Sequence, residues 1–484
     1  MLTLGTVHTP LEISPVGQPM ADAEDVRTQN PTGDAEPPYP SRTYAWFVVI
    51  VLMLIYVNSF LDRQILGLLV DPIRDSLDIS ESQMGFLMGP AFAIFYIIAG
   101  IPMGRLADVM SRRWLVFIGQ FFWSLMSVGC GMVGTYTPFL AFRVGVGVGE
   151  ATLSPSAYSM ITDLFPKRRL AFALSVYGMG IYLGSGLARF FGGYAIEFAE
   201  AFDSLQIPWV GREIYSWQIV FFLIAAPTVP LSLLLLAIRE PARRGVRQTK
   251  TALGHTVEAS VPYSEVLAYL WQNRRTMLTY SFGFALLAFS GYGAAAWFPS
   301  HLIRNFGWTP KEVGVAVGTA AVTAGPIGIL CGGWLSDTFR RRGVAHARLL
   351  VALISAAGWI PFGIAYPLVG SGTLAVWMYA PAIGIGAMTA GVGPAGIQEI
   401  MPNKMRGQAS AIYLFIINLM GLGFGPFIIA LFTQYVFGSD ADVRLSLLTV
   451  PVAAHAIAAI LLLASIRPYL RSLTRLKEWH AQRD

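Results

Sequence analysis

The stretch GRLADVMSRR at residues 104–113 returns later in the chain as GWLSDTFRRR at residues 333–342. Both copies read Gly, three residues, Asp, three residues and two arginines, and each copy closes a long apolar segment. A single copy is also compatible with a tight turn that keeps basic residues on the inner side of a membrane. Two copies at matching positions predict instead one membrane unit that was duplicated and fused.

The composition assigns the chain to membrane proteins. It is 55% hydrophobic and only 13% charged, with a mean hydropathy of +0.56, which excludes a soluble fold. Apolar stretches of about 20 residues can cross a hydrocarbon core of ~30 Å as helices. The predicted spans are residues 44–69, 83–104, 114–134, 138–161, 170–193 and 215–238, then 277–300, 312–335, 347–368, 373–397, 407–433 and 445–466. We therefore predict an all-α integral membrane fold of twelve transmembrane helices in two pseudo-symmetric six-helix bundles.

The distribution of lysine and arginine predicts the orientation, because basic residues are retained on the cytoplasmic side. With both termini inside, five of the 34 basic residues fall in outer loops, namely Arg74, Arg212, Arg304, Lys311 and Arg444. Most of the others lie in the tails and inner loops. The net charge of +6 is then explained by contact with the inner membrane surface, and no nucleic-acid partner is expected.

Composition also predicts the boundaries of the domains. Residues 1–43 are rich in Pro, Gly, Asp and Glu and predict a disordered cytoplasmic tail, not a signal peptide. Residues 44–238 and 276–466 form the two six-helix bundles. Residues 239–275 are a basic cytoplasmic linker, and residues 467–484 are a cytoplasmic tail.

Motifs for nucleotide and metal chemistry are missing from the sequence. We find no GxxxxGK[ST] loop, no HExxH and no cluster of Cys and His, so neither a cofactor nor a metal is expected. Cys130 and Cys331 lie in different spans, which argues against a disulfide framework. The chain is not expected to be an enzyme, and a proton gradient is the expected energy source.

Four ionisable residues within the predicted spans are the main functional candidates: Asp62, Arg63, Arg143 and Glu150. Such residues are costly in a bilayer and are functional candidates by default. A purely structural ion-pair cluster is the alternative. A desolvated carboxyl group favours its neutral form, whereas a nearby arginine favours the charged form, so a change of arginine partner would change proton affinity. We therefore predict a proton-coupling site at these positions.

Polar and aromatic residues near this cluster are candidates for the substrate cavity. Tyr56 and Asn58 share a helical face with the charged pair of the first span, and Tyr292, Tyr413 and Asn418 are candidates in the second half. Arg189 is expected near the outer end of the fifth span, where snorkelling to the membrane surface is favoured over ligand binding.

The two halves differ in charge. Aligning Pro166 with Pro402 puts Glu150 opposite Gly386, and in the same alignment Tyr379 stands opposite the arginine of the fourth span. An anion with an apolar tail would fit this asymmetry, with its head toward the first half and its tail along the second.

The repeated motif predicts a cytoplasmic gate in each half. A carboxylate at the inner end of a helix can accept a hydrogen bond from a neighbouring helix N-terminus and can pair with a loop arginine. The gate residues are Gly104, Asp108 and Arg112, with Gly333, Asp337 and Arg341.

These residues resemble the major facilitator superfamily, whose loop between helices two and three carries this GxxxDxxxRR pattern. The resemblance covers residues 44–466. It implies that Asp108 and Arg112 stabilise the outward-open state and that Arg143 takes part in proton coupling. Val109 and Ser111 depart from the fullest form of the motif, and residues 178–193 lack the proline of the antiporter signature in helix five. The direction of transport is therefore left open.

A more specific resemblance is to Spinster-like transporters. It rests on VNSFLDRQILGLLV at 57–70, RVGVGVGEATLSPSAYSMITDLFP at 143–166 and RRLAFALSVYGMGIYLGSGLA at 168–188. It implies proton-coupled, alternating-access transport of lysophospholipids or sphingosine phosphates. By the same resemblance, Asp62, Arg63, Arg143 and Glu150 would be the proton and headgroup residues. The chain also resembles organic-anion symporters for sugar acids in its Asp-Arg pair and its RxxxGxGE stretch, which makes sugar acids the alternative substrates. A channel or a receptor is a third hypothesis. The expected partners are membrane lipids, protons and a small amphiphilic or anionic substrate, and the expected state is a monomer in the inner membrane.

Overall fold

The computed structural model describes residues 38–202, 205–207, 212–243, 263–402 and 405–481. Most of the predicted N-terminal tail and of the linker lies outside these residues. The described residues from 39 onward belong to one compact unit. Residues up to 243 are called the first half below, and residues from 263 the second half.

Helices make up most of the described chain. Those of the first half are α1 (Arg42–Gln64), α2 (Val70–Leu77), α3 (Glu81–Met88), α4 (Pro90–Val109), α5 (Arg112–Gly131), α6 (Tyr136–Glu150), α7 (Leu153–Leu164), α8 (Lys167–Glu200), α9 (Ser216–Ala225) and α10 (Thr228–Leu236). Those of the second half are α11 (Tyr263–Gln272), α12 (Arg274–Phe306), α13 (Pro310–Arg341), α14 (Ala347–Leu368), α15 (Gly372–Ala387), α16 (Thr389–Glu399), α17 (Arg406–Asn418), α18 (Gly425–Leu431) and α19 (Val443–Ala481).

These helices follow the twelve predicted spans in order, several of them as pairs that continue across a short break. In the described residues, 10 helical segments are long and apolar enough to cross a membrane. The two predicted spans that are not among these 10 are the fourth, which corresponds to α6 and α7, and the fifth, which corresponds to α8. The fourth is interrupted by a turn at Ala151 and Thr152, and the fifth contains the charged Arg189.

Local sequence explains several helix ends. The Ser80 hydroxyl accepts a hydrogen bond from the backbone N–H of Gln83, and the Gln83 side chain accepts one from the Ser80 N–H, which forms a capping box before α3. Thr309 and Glu312 form the same arrangement before α13. Gly307 ends α12 with a φ of 68°, a left-handed conformation that favours glycine.

Four features were not predicted. The short helix α2 follows α1, and strands β1 (Leu205–Ile207) and β2 (Arg212–Ile214) form an antiparallel hairpin beside an otherwise helical fold. Helix α11 lies inside the predicted linker. Helix α19 continues through the predicted C-terminal tail to Ala481, because its last turns pack Tyr469 and Trp479 against the core of the second half.

The two ends of the bundle differ in how the halves meet. The end that carries both GxxxDxxxRR copies is called the motif end. The opposite end, where α12 ends near Arg304 and α13 begins, is called the Arg304 end. At the Arg304 end, one apolar core combines residues of both halves, such as Ile65, Trp217, Trp297 and Ile429. Toward the motif end, a second core draws mainly on the first half and a third draws on the second half. The halves are therefore packed together mainly at the Arg304 end.

Candidate functional site

Arg63 and Glu150 form a buried ion pair in the first half. The Arg63 side chain donates from Nε at 2.7 Å and from Nη2 at 2.5 Å to Glu150 Oε2. The exposed fractions of the two side chains are 10% and 0%. Glu150 Oε1 is buried without a hydrogen-bond partner in the described residues. The carboxylate is thus held on one side only.

Asp62 and Arg143 complete this cluster. The Ser127 hydroxyl donates to Asp62 Oδ1, and Arg143 Nη1 donates to the backbone oxygen of Asp62 at 3.3 Å. Both side chains are buried. Successive residues of a helix point about 100° apart, so Asp62 contacts α5 while Arg63 reaches the end of α6. The structure therefore brings together the four ionisable residues that the sequence singled out.

Aromatic rings surround the arginines of the cluster. The Arg63 guanidinium lies 4.7 Å from the ring centre of Phe92 and 5.0 Å from those of Phe60 and Tyr96. The Arg143 guanidinium lies 5.6 Å from the Phe92 ring on α4. Such contacts stabilise a desolvated cation. Phe60 precedes Arg63 by one turn of α1, whereas Phe92, Tyr96 and Ser127 were missed because only the packing of α4 and α5 against α1 and α6 brings them to the cluster.

A small cleft adjoins the cluster. Its lining residues are Arg63, Gln64, Gly67, Met88, Phe92 and Arg143 from the first half, and Tyr292, Ala295, Ala296, Leu422 and Pro426 from the second half. The two arginines belong to the first half, and the second half supplies an apolar wall with one tyrosine. The difference in charge between the two halves that the sequence indicated is thus present in the lining of this cleft.

The predicted cavity residues lie in different places, and of the five only Tyr292 lines the cleft. Tyr56 stacks on Tyr177 with 4.9 Å between ring centres. The Asn58 amide donates to the Thr228 hydroxyl at 3.3 Å.

Tyr413 and Asn418 are the two remaining predictions, both from α17. Tyr413 is buried in the core of the second half beside Tyr280 and Phe284. Asn418 is half-buried where a π-helical stretch, Leu419–Phe424, begins. Helical spacing alone did not distinguish a core face from a cleft face here.

The expectation for Arg189 was wrong. Its side chain does not snorkel to the surface, because the residue is 4% exposed and contacts α1 and α12 from its place on α8. Nη2 donates to Gln64 Oε1 at 2.5 Å and to the backbone oxygen of Ala295 at 3.2 Å. Helix α8 packs along α13, which places this part of α8 at the contact between the halves instead of at the lipid.

An ionic network joins the halves at the Arg304 end. Arg304 of the second half binds Asp71 at 2.6 Å and Glu81 at 2.7 Å. Arg74 of the first half binds Glu81 at 2.6 Å and Asp440 of the second half at 2.7 Å. Glu81 is 1% exposed. Nothing in the sequence beyond the charges themselves indicated this network, because its members belong to helices and a turn that are far apart in the chain.

At the motif end of the first half, Arg112 binds carboxylates other than that of Asp108. Its side chain pairs with Asp163 and, through Nε at 2.8 Å, with Glu240. Burial raises the pKa of Glu240, but hydrogen bonds from the Arg113 N–H, the Arg112 side chain and the Ser111 hydroxyl outweigh burial and leave the pKa below its ordinary value. Asp108 itself is exposed.

The second copy of the motif uses a different arginine from the one predicted. Arg340 and Arg348 bind Glu399 at 3.1 Å and 2.8 Å, while Arg341 Nε approaches the backbone oxygen of Asp337 at 3.4 Å. Side chains at Gly104 and Gly333 would meet open space. In the described part of the motif end, these ion pairs each join residues of one half.

The chain is similar to known transporters in both sequence and structure. A family model described as Major Facilitator Superfamily matches residues 52–426. A crystal structure of a bacterial homologue of the human lysosomal transporter Spinster, inward-facing and unoccupied, is 27% identical, with a TM-score of 0.73 over 90% of this chain and 98% of that one.

Among curated proteins, an MFS-type efflux pump of Mycolicibacterium smegmatis is 28% identical over 81% of this chain and 85% of its own length. Protein spinster of Drosophila melanogaster is 28% identical over 61% of this chain and 46% of its own length. The hexuronate transporter of Bacillus subtilis is 25% identical over 78% and 86%.

Proposed function

The chain belongs to the Major Facilitator Superfamily, and we propose that this Spinster-like membrane transporter couples protons to the movement of an amphiphilic anionic or zwitterionic lipid. The lipid is of the lysophospholipid or sphingoid phosphate type, and transport proceeds by alternating access. Membrane transport itself follows from the family. Proton coupling and the lipid substrate are the steps that this proposal adds.

The observation that carries the proposal is the one-sided ion pair of Arg63 with Glu150. A proton arriving at the unpartnered Oε1 neutralises the carboxylate and weakens its hold on the Arg63 guanidinium. The released guanidinium then favours an anion in the adjoining cleft. By thermodynamic linkage, an anion bound to Arg63 favours the proton on Glu150 to the same extent. Proton and substrate therefore bind together in this cycle.

The lining of the cleft supports an amphiphile as substrate. Arg63 and Arg143 provide positive charge for a headgroup on one side. The second half offers Leu422, Pro426 and Ala296 on the other, against which an acyl chain is more favourable than a polar group.

The arrangement of the two ends supports an inward-facing conformation. The motif end is cytoplasmic in the proposed orientation, with both termini inside a bacterial inner membrane. The ionic network at the Arg304 end then closes the outer side, while the ion pairs of Arg112 and Glu399 remain within their own halves. The transporter works as a monomer and draws its energy from the proton gradient, without a cofactor.

A sugar-acid symporter is the second candidate. It is supported by the similarity to the hexuronate transporter and by the arginines of the cleft, which would bind a carboxylate equally well. The apolar wall of the second half is the observation against it, since a polyhydroxylated substrate needs hydrogen-bond partners on all sides.

Uptake by proteoliposomes that contain the full chain tests the proposal. The probes are oleoyl-lysophosphatidate, oleoyl-lysophosphatidylcholine and glucuronate, each measured with and without an imposed proton gradient. We expect gradient-dependent movement of at least one lysolipid and none of glucuronate. Movement of glucuronate alone would replace the lipid by a sugar acid. Lysolipid movement that ignores the gradient would remove proton coupling.

A further inference from the structure

Arg189 is a buried cation whose hydrogen-bond acceptors in the structure are neutral. Nη1 donates to the backbone oxygen of Ser185 at 2.8 Å, and Nη2 donates to Gln64 Oε1 at 2.5 Å and to the backbone oxygen of Ala295 at 3.2 Å. Nε is buried without a partner in the described residues. None of these contacts supplies the negative charge that a desolvated guanidinium needs.

Two other arginines removed from water have carboxylate partners. Arg63 has Glu150, and Arg112 has Asp163 and Glu240. Burial of a charge without a counter-ion is strongly unfavourable. Arg189 is retained at 4% exposure with no carboxylate partner among the described residues, which points to a bound anion as its partner.

The position of Arg189 connects it to the cleft. Gln64 and Ala295, which accept its hydrogen bonds, both line the cleft, and Gln64 directly follows Arg63 in α1. Arg189 thus stands behind the cleft wall, and the Gln64 amide links it to the charged cluster.

One of its acceptors belongs to the opposite half. Ala295 lies on α12, whereas Arg189 and Gln64 lie in the first half. When the halves separate at the Arg304 end, Nη2 loses the Ala295 oxygen but keeps Gln64. Opening this end therefore frees a donor on Arg189 beside the unpartnered Nε, and both donors can then face an entering anion.

We propose that Arg189, oriented by Gln64, is a second anion-binding residue of the cleft and selects substrates with a net negative charge. This inference rests on the proposed function and narrows it from anionic or zwitterionic substrates to anionic ones. The carboxylate or phosphate group of the substrate binds Arg189 while the Arg304 end is open, and Arg63 and Arg143 receive it on the motif side.

The formal charges around the cleft agree with this assignment. Asp62 and Glu150 carry two negative charges, and Arg63, Arg143 and Arg189 carry three positive ones. Without a ligand the group has an excess of one positive charge, which a monoanion neutralises. A protonated Glu150 would raise the excess and strengthen the binding of a dianion such as a phosphate monoester.

Ligand binding by the purified full-length protein tests the inference. Dissociation constants are measured for oleoyl-lysophosphatidate, for the neutral monooleoylglycerol with the same tail, and for glucuronate. The variants are Arg189→Gln, whose amide can still donate to the Ala295 oxygen, and Arg189→Lys, which keeps the charge. Arg444→Gln removes an exposed arginine and is the matched control.

We expect Arg189→Gln to raise the dissociation constant of lysophosphatidate by about tenfold or more, the effect of losing a hydrogen bond between charged groups. Binding of monooleoylglycerol should be unchanged, and Arg189→Lys should bind lysophosphatidate more tightly than Arg189→Gln. The control should behave as the wild type.

Three results distinguish the inference from the proposed function. Equal lysophosphatidate affinity in wild type and Arg189→Gln, or a parallel loss of the neutral lipid, overturns the role of Arg189 and leaves lipid transport intact. Binding of glucuronate alone, weakened by Arg189→Gln, supports Arg189 and overturns the lipid. Failure of the wild type to bind either anion overturns both.

Discussion

Arg63 donates two hydrogen bonds to one carboxylate oxygen of Glu150, at 2.7 Å and 2.5 Å, and the other oxygen has no hydrogen-bond partner in the part of the chain that the structure describes. The pair joins α1 to the end of α6 beside a cleft that both halves line. A contact between two fully complementary groups would only hold helices together. The contact between Arg63 and Glu150 leaves a site for a proton on Glu150. Once the proton is bound, the Arg63 guanidinium is available to an anionic substrate.

Removal of Arg63 should destabilise the protein more than removal of both charges. Arg63→Ala leaves Glu150 with no exposed surface and without its guanidinium, and breaking a buried ion pair from one side costs about 3 to 5 kcal/mol. The double variant Arg63→Ala with Glu150→Gln should recover most of the loss in melting temperature in detergent, but no substrate binding. A double variant no more stable than the single one would contradict the pairing, and unchanged anion binding by Arg63→Ala would contradict its role in substrate binding.

Loss of Arg304 should open the end of the bundle that it closes. Its guanidinium binds Asp71 and Glu81 together, and without it the buried Glu81 retains Arg74 as its one ion-pair partner among the described residues. Spin labels placed on α2 and on the loop after α12 should show longer distances in Arg304→Ala than in the wild type, measured by double electron–electron resonance. The exposed Arg444→Ala is the control. Identical distance distributions in all three proteins would mean that the network does not hold this end closed.

Close packing of α8 against α13 makes Gly318 sensitive to any side chain. A Cβ there would lie 2.7 Å from the backbone oxygen of Gly186 in the other half. Gly318→Leu should keep the Arg304 end from closing and reduce transport strongly. A Cβ at the exposed Gly291 on α12 would meet no atom within 4 Å, so Gly291→Leu should be tolerated. The same spin-label distances report the result, and full closure in Gly318→Leu would be inconsistent with the described packing.

Glu240 should give the motif end a dependence on pH. Its pKa lies below the ordinary value because Arg113, Arg112 and Ser111 donate hydrogen bonds to its carboxylate. A group of this kind stabilises the fold above its unfolded pKa, and the contribution is lost as pH falls through the folded pKa. Glu240→Gln should therefore melt at a lower temperature than the wild type at neutral pH.

The difference in melting temperature between wild type and Glu240→Gln should shrink as the solution is acidified through that range. Glu200→Gln, which changes an exposed carboxylate, controls for the general effect of one lost negative charge. A difference that stays constant or grows on acidification would show that Glu240 does not contribute through its charge.

Much of the fold could be predicted from the sequence because helices in a bilayer are local structures. Each span satisfies its own backbone hydrogen bonds, so an apolar run of sufficient length determines a helix almost alone. The four residues Asp62, Arg63, Arg143 and Glu150 could be found for a related reason. A charge inside such a run is costly, and few chains carry one without a use.

The surroundings of the other candidate residues could not be predicted, because they depend on contacts between helices that are distant in the sequence. Arg189 was assigned to the surface from its position near the end of a span, but the crossing of α8 with α13 buries it. Tyr413 was assigned to the cavity from helical spacing, yet its face of α17 packs against Tyr280. The partners of Arg112 could not be read from its own motif, because Glu240 belongs to a segment more than 120 residues away.

The most direct test of proton coupling through Glu150 compares two assays of Glu150→Gln in proteoliposomes. The first is accumulation of oleoyl-lysophosphatidate driven by an imposed proton gradient, and the second is exchange of labelled for unlabelled lipid without a gradient. Glutamine keeps the shape of the side chain but cannot take up or release the proton. We predict that gradient-driven accumulation is lost while exchange continues. Gradient-driven accumulation at the wild-type level by Glu150→Gln would contradict the account.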